Sequence, residues 1–97
     1  MSDPETTETE AIDSDIGDDG VPRRVLDYLA QALVDEPDEI QITEDKRNGA
    51  VDLRLSVSKE DMGRVIGRRG RVAQAIRTLV RAAGAREGVE ASVDIVD

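Results

Sequence analysis

Apolar residues recur along this chain first at helical spacing, then at every second position, then at helical spacing again, and finally at every second position. Val25, Leu26, Leu29, Ala32 and Leu33 make one stripe on a helix. Pro22 suits the first turn of that helix, where a missing N–H is no loss. Asp35-Glu36-Pro37 ends it, because the residue before a proline avoids the helical region. Ile40-Gln41-Ile42-Thr43 alternates as a strand, and Asp45-Lys46-Arg47-Asn48-Gly49 turns the chain, with Asn-Gly as the hairpin signal. Val51, Leu53, Leu55 and Val57 alternate with Asp52, Arg54 and Ser56 as the returning strand. Ser58 reads as a helix N-cap with Asp61 three residues on, in the manner of a capping box. A short helix from about Lys59 to Ile66 carries Met62, Val65 and Ile66 inward. After a glycine turn, a longer helix from about Arg71 to Arg86 buries Val72, Ala75, Ile76, Leu79, Val80 and Ala83. Gly88 stops it, and Val89, Ala91, Val93 and Ile95 alternate as a last strand.

The order is therefore helix, strand, strand, helix, helix, strand. The last strand follows a helical crossover, so it runs parallel to the second, while the hairpin makes the first two antiparallel. One mixed three-stranded sheet with three helices packed on one face buries every stripe, which defines an α+β domain.

The formal charge of −9 argues at first against a polyanionic partner, but its distribution reverses that. Residues 1–20 hold eight acids and no base, and apart from Met1 their only large apolar groups are Ile12 and Ile16. Such a segment buries too little surface to offset its ordering entropy, so residues 1–20 read as a disordered acidic tail and 21–97 as the folded domain. The tail is either a solubilising extension or a competitor for the arginines that follow. From Met62 to Arg86 there are seven arginines and no acid, a local charge of +7. Cys and His are absent, which removes the usual nucleophile–base pairs and zinc ligand sets and points away from an enzyme. The lack of Cys also fits a reducing compartment. No apolar run nears the ~20 residues that span a bilayer, and the acidic start is no signal peptide.

The chemistry converges on Val65-Ile66-Gly67-Arg68-Arg69-Gly70-Arg71-Val72. Two glycines let a backbone approach a ligand closely. The helix that opens beyond them presents unpaired N–H groups and a partial positive charge, which together suit phosphate. The plainer reading is a tight interhelical turn, and the two intervening arginines in an acid-free segment favour a ligand loop over it. Arg77, Arg81 and Arg86 read as a solvated helix face rather than as ligand contacts. Ala82-Ala83-Gly84-Ala85 permits close approach of either a second copy or the sheet, and both readings stay open.

These residues resemble a known family. Val65-Ile66-Gly67-Arg68-Arg69-Gly70 is similar to the I-G-x-x-G signature of KH domains, and the element order resembles their type II arrangement. Pro37-Asp38-Glu39-Ile40, Glu60 to Gly67, and Arg71 to Arg77 resemble the small stand-alone KH proteins called KhpA, over roughly residues 22–96. The resemblance implies a cytoplasmic, non-catalytic protein that binds single-stranded RNA without a cofactor and acts as an RNA chaperone. It also implies pairing with a second copy or with a larger KH protein, KhpB, in cell-wall growth and cell shape. In the KH mode about four nucleotides lie against the glycine loop. Gly67 and Gly70 admit the phosphates, Arg68 and Arg69 add charged contacts, Arg64 and Arg71 flank the site, and Ile66 and Val72 form part of an apolar floor. Lys46 and Arg47 in the hairpin loop are expected to oppose the glycine turn across the groove. Tyr28 is the sole aromatic, so readout by stacked rings is nearly excluded. The competing classes are a protein–protein adaptor that keeps the fold, and a helix-turn-helix DNA binder whose second helix opens with few base-reading side chains.

Overall fold

The computed structural model describes residues 20–96. The acidic tail assigned to 1–20 lies outside the described residues except for Gly20, and so does Asp97. Gly20 belongs to the domain: it occupies the N-cap position of the first helix, and its carbonyl accepts the Arg24 N–H at 3.1 Å.

The elements in chain order are α1 (Val21–Leu33), a 3₁₀ turn (Pro37–Glu39), β1 (Gln41–Arg47), β2 (Ala50–Ser56), a 3₁₀ turn (Lys59–Asp61), α2 (Met62–Ile66), a 3₁₀ turn (Arg68–Gly70), α3 (Arg71–Arg86) and β3 (Glu90–Ile95). The sheet order is β1-β2-β3. β1 and β2 pair antiparallel with Ile42 opposite Leu55, and β2 and β3 pair parallel with Leu53 opposite Val93. This is the mixed sheet the alternation predicts. β1 runs further than its apolar pattern shows, to Arg47 opposite Ala50, which leaves only Asn48 and Gly49 as the turn. Beyond Ile42 the strand is held by backbone pairing, and its exposed side chains carry no apolar signal.

The core is Leu26 and Ala30 of α1, Val51, Leu53 and Leu55 of β2, Ile76 and Val80 of α3, and Ala91 and Val93 of β3. Two helical stripes sit differently from the expectation. On α1, Ala30 is fully buried while Ala32 is exposed. On α3 the buried set is Ala73, Ile76, Val80, Ala83 and Gly84, while Ala75 and Leu79 are exposed. At 100° per residue this turns the stripe by roughly 60° from the one the larger side chains suggest. The cause is close approach to β3. A Cβ on Gly84 would lie 2.8 Å from the Ala91 Cβ and 2.9 Å from the Val89 carbonyl oxygen. Small residues thus bring α3 down onto the sheet, and Leu79 is left 50% exposed. Of the four small residues in a row, Ala83 and Gly84 pack inward, and Ala82 and Ala85 face solvent.

Both sheet edges receive an arginine from a helix. On β1, Arg23 donates from a terminal nitrogen to the Ile42 carbonyl at 3.1 Å and pairs with Glu44 at 3.5 Å. On β3, the Arg77 Nε donates to the Val93 carbonyl at 3.3 Å. Each contact occupies an edge acceptor that a foreign strand would otherwise find free.

Candidate nucleic-acid interface

The turn between α2 and α3 is built from backbone conformations that most side chains avoid. Gly67 closes α2 by donating its N–H to the Gly63 carbonyl at 2.8 Å, and it takes φ 76 and ψ 173. That region is essentially restricted to glycine. A Cβ there would stand 2.3 Å from Cγ2 of Val72 and 2.9 Å from its backbone nitrogen. Gly70, at φ 72 and ψ 14, is left-handed, and a Cβ there would have no neighbour within 4 Å. Arg69 lies between them at φ 57 and ψ 26, the one non-glycine residue with positive φ among the described residues. An arginine in that conformation is disfavoured by about 1–2 kcal/mol. Strain of this kind persists where the surrounding structure imposes it, and it gathers at ligand sites.

The electrostatics of the turn are one-sided. The N-terminus of α3 has no side-chain cap and no acid in its first turn, so its partial positive charge is uncompensated. Arg68, Arg69 and Arg71 are exposed, and among the described residues none of them makes an ion pair. Gly67 and Gly70 are themselves half-buried, and a Cβ on Gly70 would meet no atom within 4 Å.

Arg64 is differently placed. Its guanidinium pairs with Asp35 at 2.9 Å and with Asp61 at 3.4 Å, so its charge is shared with two acids. Asp61 is 1% exposed and ties three elements together. Its carboxylate accepts the N–H groups of Asp35 and Glu36, each at 3.0 Å, and the Ser58 hydroxyl at 3.0 Å. The Asp35 amide first, then the Glu36 amide, Ser58 and Arg64, hold this carboxyl below its ordinary range against the opposing pull of burial. The segment after α1 is thereby fastened to the start of α2, which fixes the helix leading into the glycine turn. The expected Ser58 cap is present, since its hydroxyl accepts the Asp61 N–H at 3.2 Å. The long-range role of Asp61 has no signal in the local sequence.

The apolar pair beside the turn is accessible. Ile66 is 39% exposed, and Val72 is half-buried against the edge of the core. Lys46 and Arg47 are elsewhere, which corrects the expectation that they face the glycine turn. They line a hollow with Pro22, Glu87 and Val89, beyond the C-terminal end of α3. Gly49, in the same hairpin, accepts the Glu90 N–H at 2.8 Å. The glycine turn lies at the other end of α3, a 16-residue helix about 24 Å long. The physical reason is connectivity: β2 runs away from its hairpin and delivers the chain to α2 at its far end. Arg47 instead pairs with Asp52 on the neighbouring strand. Among the described residues, no cluster of three or more His, Cys, Asp or Glu could hold a metal, and no helix is long and apolar enough to cross a membrane.

An α-β-β-α-α-β chain with this sheet, and with a Gly-Arg-Arg-Gly corner between its second and third helices, is a KH domain of the type II arrangement. More narrowly, the chain belongs to the family described as KhpA/KhpB, KH domain, whose model matches residues 23–95. It is 43% identical over 74 residues to the RNA-binding protein KhpA of Clostridium acetobutylicum, covering 76% of this chain and 99% of that protein. It is 45% identical over 69 residues to the protein of the same name from Listeria monocytogenes, covering 71% of this chain and 91% of the relative. A third, from Caldanaerobacter subterraneus, is 47% identical over 68 residues, covering 70% and 91%. Members of this KH-domain family are binding proteins and not enzymes, and this chain is one of them.

Proposed function

We propose that the chain binds single-stranded RNA, with the Gly67–Gly70 corner gripping the sugar-phosphate backbone. The observation that carries this reading is the combination at one place of a strained glycine turn, an uncapped helix N-terminus and three exposed arginines without an ion pair among the described residues. The relatives named as RNA-binding proteins support it. Phosphates approach the backbone at Gly67 and Gly70 and meet the N–H groups of α3, while Arg68, Arg69 and Arg71 add charge-assisted contacts. Ile66 and Val72 supply the apolar floor. Arg64, held by its two acids, positions α2 more than it contacts phosphate. Lys46 and Arg47 take no part.

Contacts of this kind are largely sequence-blind, which suits the transient engagement of an RNA chaperone in the cytoplasm. Self-association, or pairing with a larger KH protein of the KhpB kind, would strengthen binding through effective concentration. The exposed Leu79, which shares a shallow hollow with Val21, Val25 and Ala82, supports that part of the proposal and is also what an adaptor function would use.

The test uses Gly70→Asp with Arg68→Asp. Aspartate tolerates the left-handed region better than most residues, and position 70 has open space, so the fold survives while the corner becomes anionic. Fluorescence anisotropy with a single-stranded RNA should show at least a tenfold loss, and the wild-type affinity should fall steeply with salt through counterion release. Undiminished affinity in a natively folded variant refutes the proposal. Stronger binding to duplex DNA than to single strands would favour the helix-turn-helix alternative.

A further inference from the structure

Gly20 brings the chain into the domain at one end of α3. It lines a hollow with Pro22, Lys46, Arg47 and Glu87, and the next residue, Val21, lines another with Leu79 and Arg86. Residues 1–19 therefore join the fold beside the last turn of α3, with the glycine corner a helix length of about 24 Å away. Those 19 residues carry eight acids and no base.

Three surfaces adjoin that junction, and they differ in charge. The hollow at Gly20 is balanced: Glu44 and Glu87 stand with Lys46 and Arg47, and Arg47 is paired with Asp52. The open face of the sheet sets Asp45, Asp52, Glu90 and Asp94 against Arg47 and Arg54, which disfavours a further polyanion. α3 has no acid in its 16 residues. Exposed arginines follow it from Arg86 through Arg81 to Arg71, and Arg69 and Arg68 continue them at the corner. Among the described residues none of these five makes an ion pair.

The length of the segment suits that third surface. An extended chain covers about 3.3–3.6 Å per residue, so residues 12–19 alone span about 26–29 Å, more than the length of α3. Asp13, Asp15, Asp18 and Asp19 fall within that span, beside Arg86 and Arg81. Asp3, Glu5, Glu8 and Glu10 lie beyond it, within reach of the corner.

We propose that residues 1–19 dock along the exposed side of α3 and set their distal carboxylates against the glycine corner, where they stand in for phosphates. Carboxylates accept the same charge-assisted bonds from guanidinium groups, and the same helix N-terminus favours them. Resting on the RNA-binding reading, the consequence is competition: RNA displaces the chain's own acidic segment when it binds. A tethered segment acts at an effective concentration on the order of 1 mM, and sequence-blind polyanion contacts dissociate at about 0.1 mM, so the segment weakens RNA binding about tenfold.

Two measurements on the full chain test this. Cys is absent, so Ser2→Cys admits a single nitroxide label. Without RNA, the label should broaden the amide signals of Arg68, Arg69, Gly70 and Arg71 more than those of Arg54 and Asp94 on the open sheet face. The broadening should vanish when all eight acids are replaced by their amides, and dilution should leave it unchanged. Broadening confined to the surroundings of Gly20, or equal on both faces, overturns the proposal. Loss on dilution assigns the contact to a second copy and overturns it too. Fluorescence anisotropy with labelled oligouridine at about 0.01 M ionic strength, where screening acts over about 30 Å, reads the competition. The eight-amide variant should bind about tenfold more tightly than wild type. Two charge-matched variants separate contact from general repulsion. Amides at positions 3, 5, 8 and 10 should recover at least about fivefold, and amides at 13, 15, 18 and 19 less than about threefold, because only the first set reaches the corner. Equal gains from the two sets, or no gain from either, overturn the proposal. If no form of the chain binds RNA, the RNA-binding reading fails and the competition with it, while the broadening still decides whether the segment reaches the corner.

Discussion

Gly67 and Gly70 look alike in the sequence, and the structure predicts that they respond differently to the same substitution. At Gly67 an added methyl meets Val72 at 2.3 Å from Cγ2, 2.7 Å from Cβ and 2.9 Å from the backbone nitrogen, far inside an ordinary carbon contact of about 3.5–4 Å. The nitrogen belongs to the first turn of α3 and cannot rotate away, so the helix itself must shift. Overpacking of this kind is destabilising by about 1–3 kcal/mol. The conformation at φ 76 and ψ 173 adds about 1–3 kcal/mol for any residue with a side chain. Gly67→Ala should therefore cost about 2–6 kcal/mol, out of roughly 4–12 kcal/mol for a domain of this size. Gly70→Ala meets nothing within 4 Å and bears only the left-handed penalty of about 1–2 kcal/mol. Urea denaturation followed by far-ultraviolet circular dichroism separates the two. With a slope of about 1 kcal/mol per molar, the midpoint should fall by about 2 M or more for Gly67→Ala and by about 1–2 M for Gly70→Ala. Equal losses at the two positions, or a Gly67→Ala midpoint within about 0.5 M of wild type, would refute the reasoning. The difference also bears on RNA binding: substitutions at Gly67 mix misfolding with lost contact, and those at Gly70 do not.

Gly84→Ala, ordinarily stabilising within a helix by up to about 1 kcal/mol, should destabilise this domain by about 1–3 kcal/mol, because the new methyl meets Ala91 and the Val89 carbonyl; thermal or urea unfolding shows the sign, and a gain in stability would contradict the packing described. Arg69→Gly should raise stability by about 0.5–1 kcal/mol, since the left-handed strain it removes, about 1–2 kcal/mol, outweighs the entropy it adds to the unfolded chain, while it weakens RNA binding; a loss of stability in urea would show that Arg69 is not strained. Asp61 makes stability depend on acid. Its carboxyl is held below the ordinary aspartate range, so its contribution is fully present above that range and is lost as pH falls through the lower folded value. Asp61→Asn should therefore be less stable than wild type at neutral pH and lose less on acidification below about pH 4, and parallel urea midpoints for the two proteins down to pH 2.5 would refute the assignment.

Much of the fold was legible because its signals are local. Alternation in Val51-Asp52-Leu53-Arg54-Leu55 and in Ala91-Ser92-Val93-Asp94-Ile95 marks two half-buried strands, and the crossover between them requires a parallel pair. The Asn48-Gly49 turn, the proline-bounded end of α1 and the glycine corner with its arginines are all readable within a few residues. So is the concentration of positive charge from Met62 to Arg86, which the whole-chain value of −9 conceals. The buried face of α3 was misread because periodicity weighs residues by size, whereas Ala73 and Gly84 are buried for their smallness.

By itself, then, the order of residues determined the elements, their sequence, the direction of the last strand and the place of the corner, because each depends on neighbours close along the chain. Only the tertiary structure decided what lies at which end of α3. It moved Lys46 and Arg47 a helix length away from the glycine turn, engaged Arg64 with Asp35 and Asp61, and brought Arg77 against the open edge of β3. Arg64 and Asp35 are 29 positions apart and Arg77 and Val93 are 16 apart, while Lys46 and Arg47 are separated from arginines whose charges look equivalent. No local pattern encodes these relations, because they follow from the direction in which β2 delivers the chain and from how closely α3 settles on the sheet.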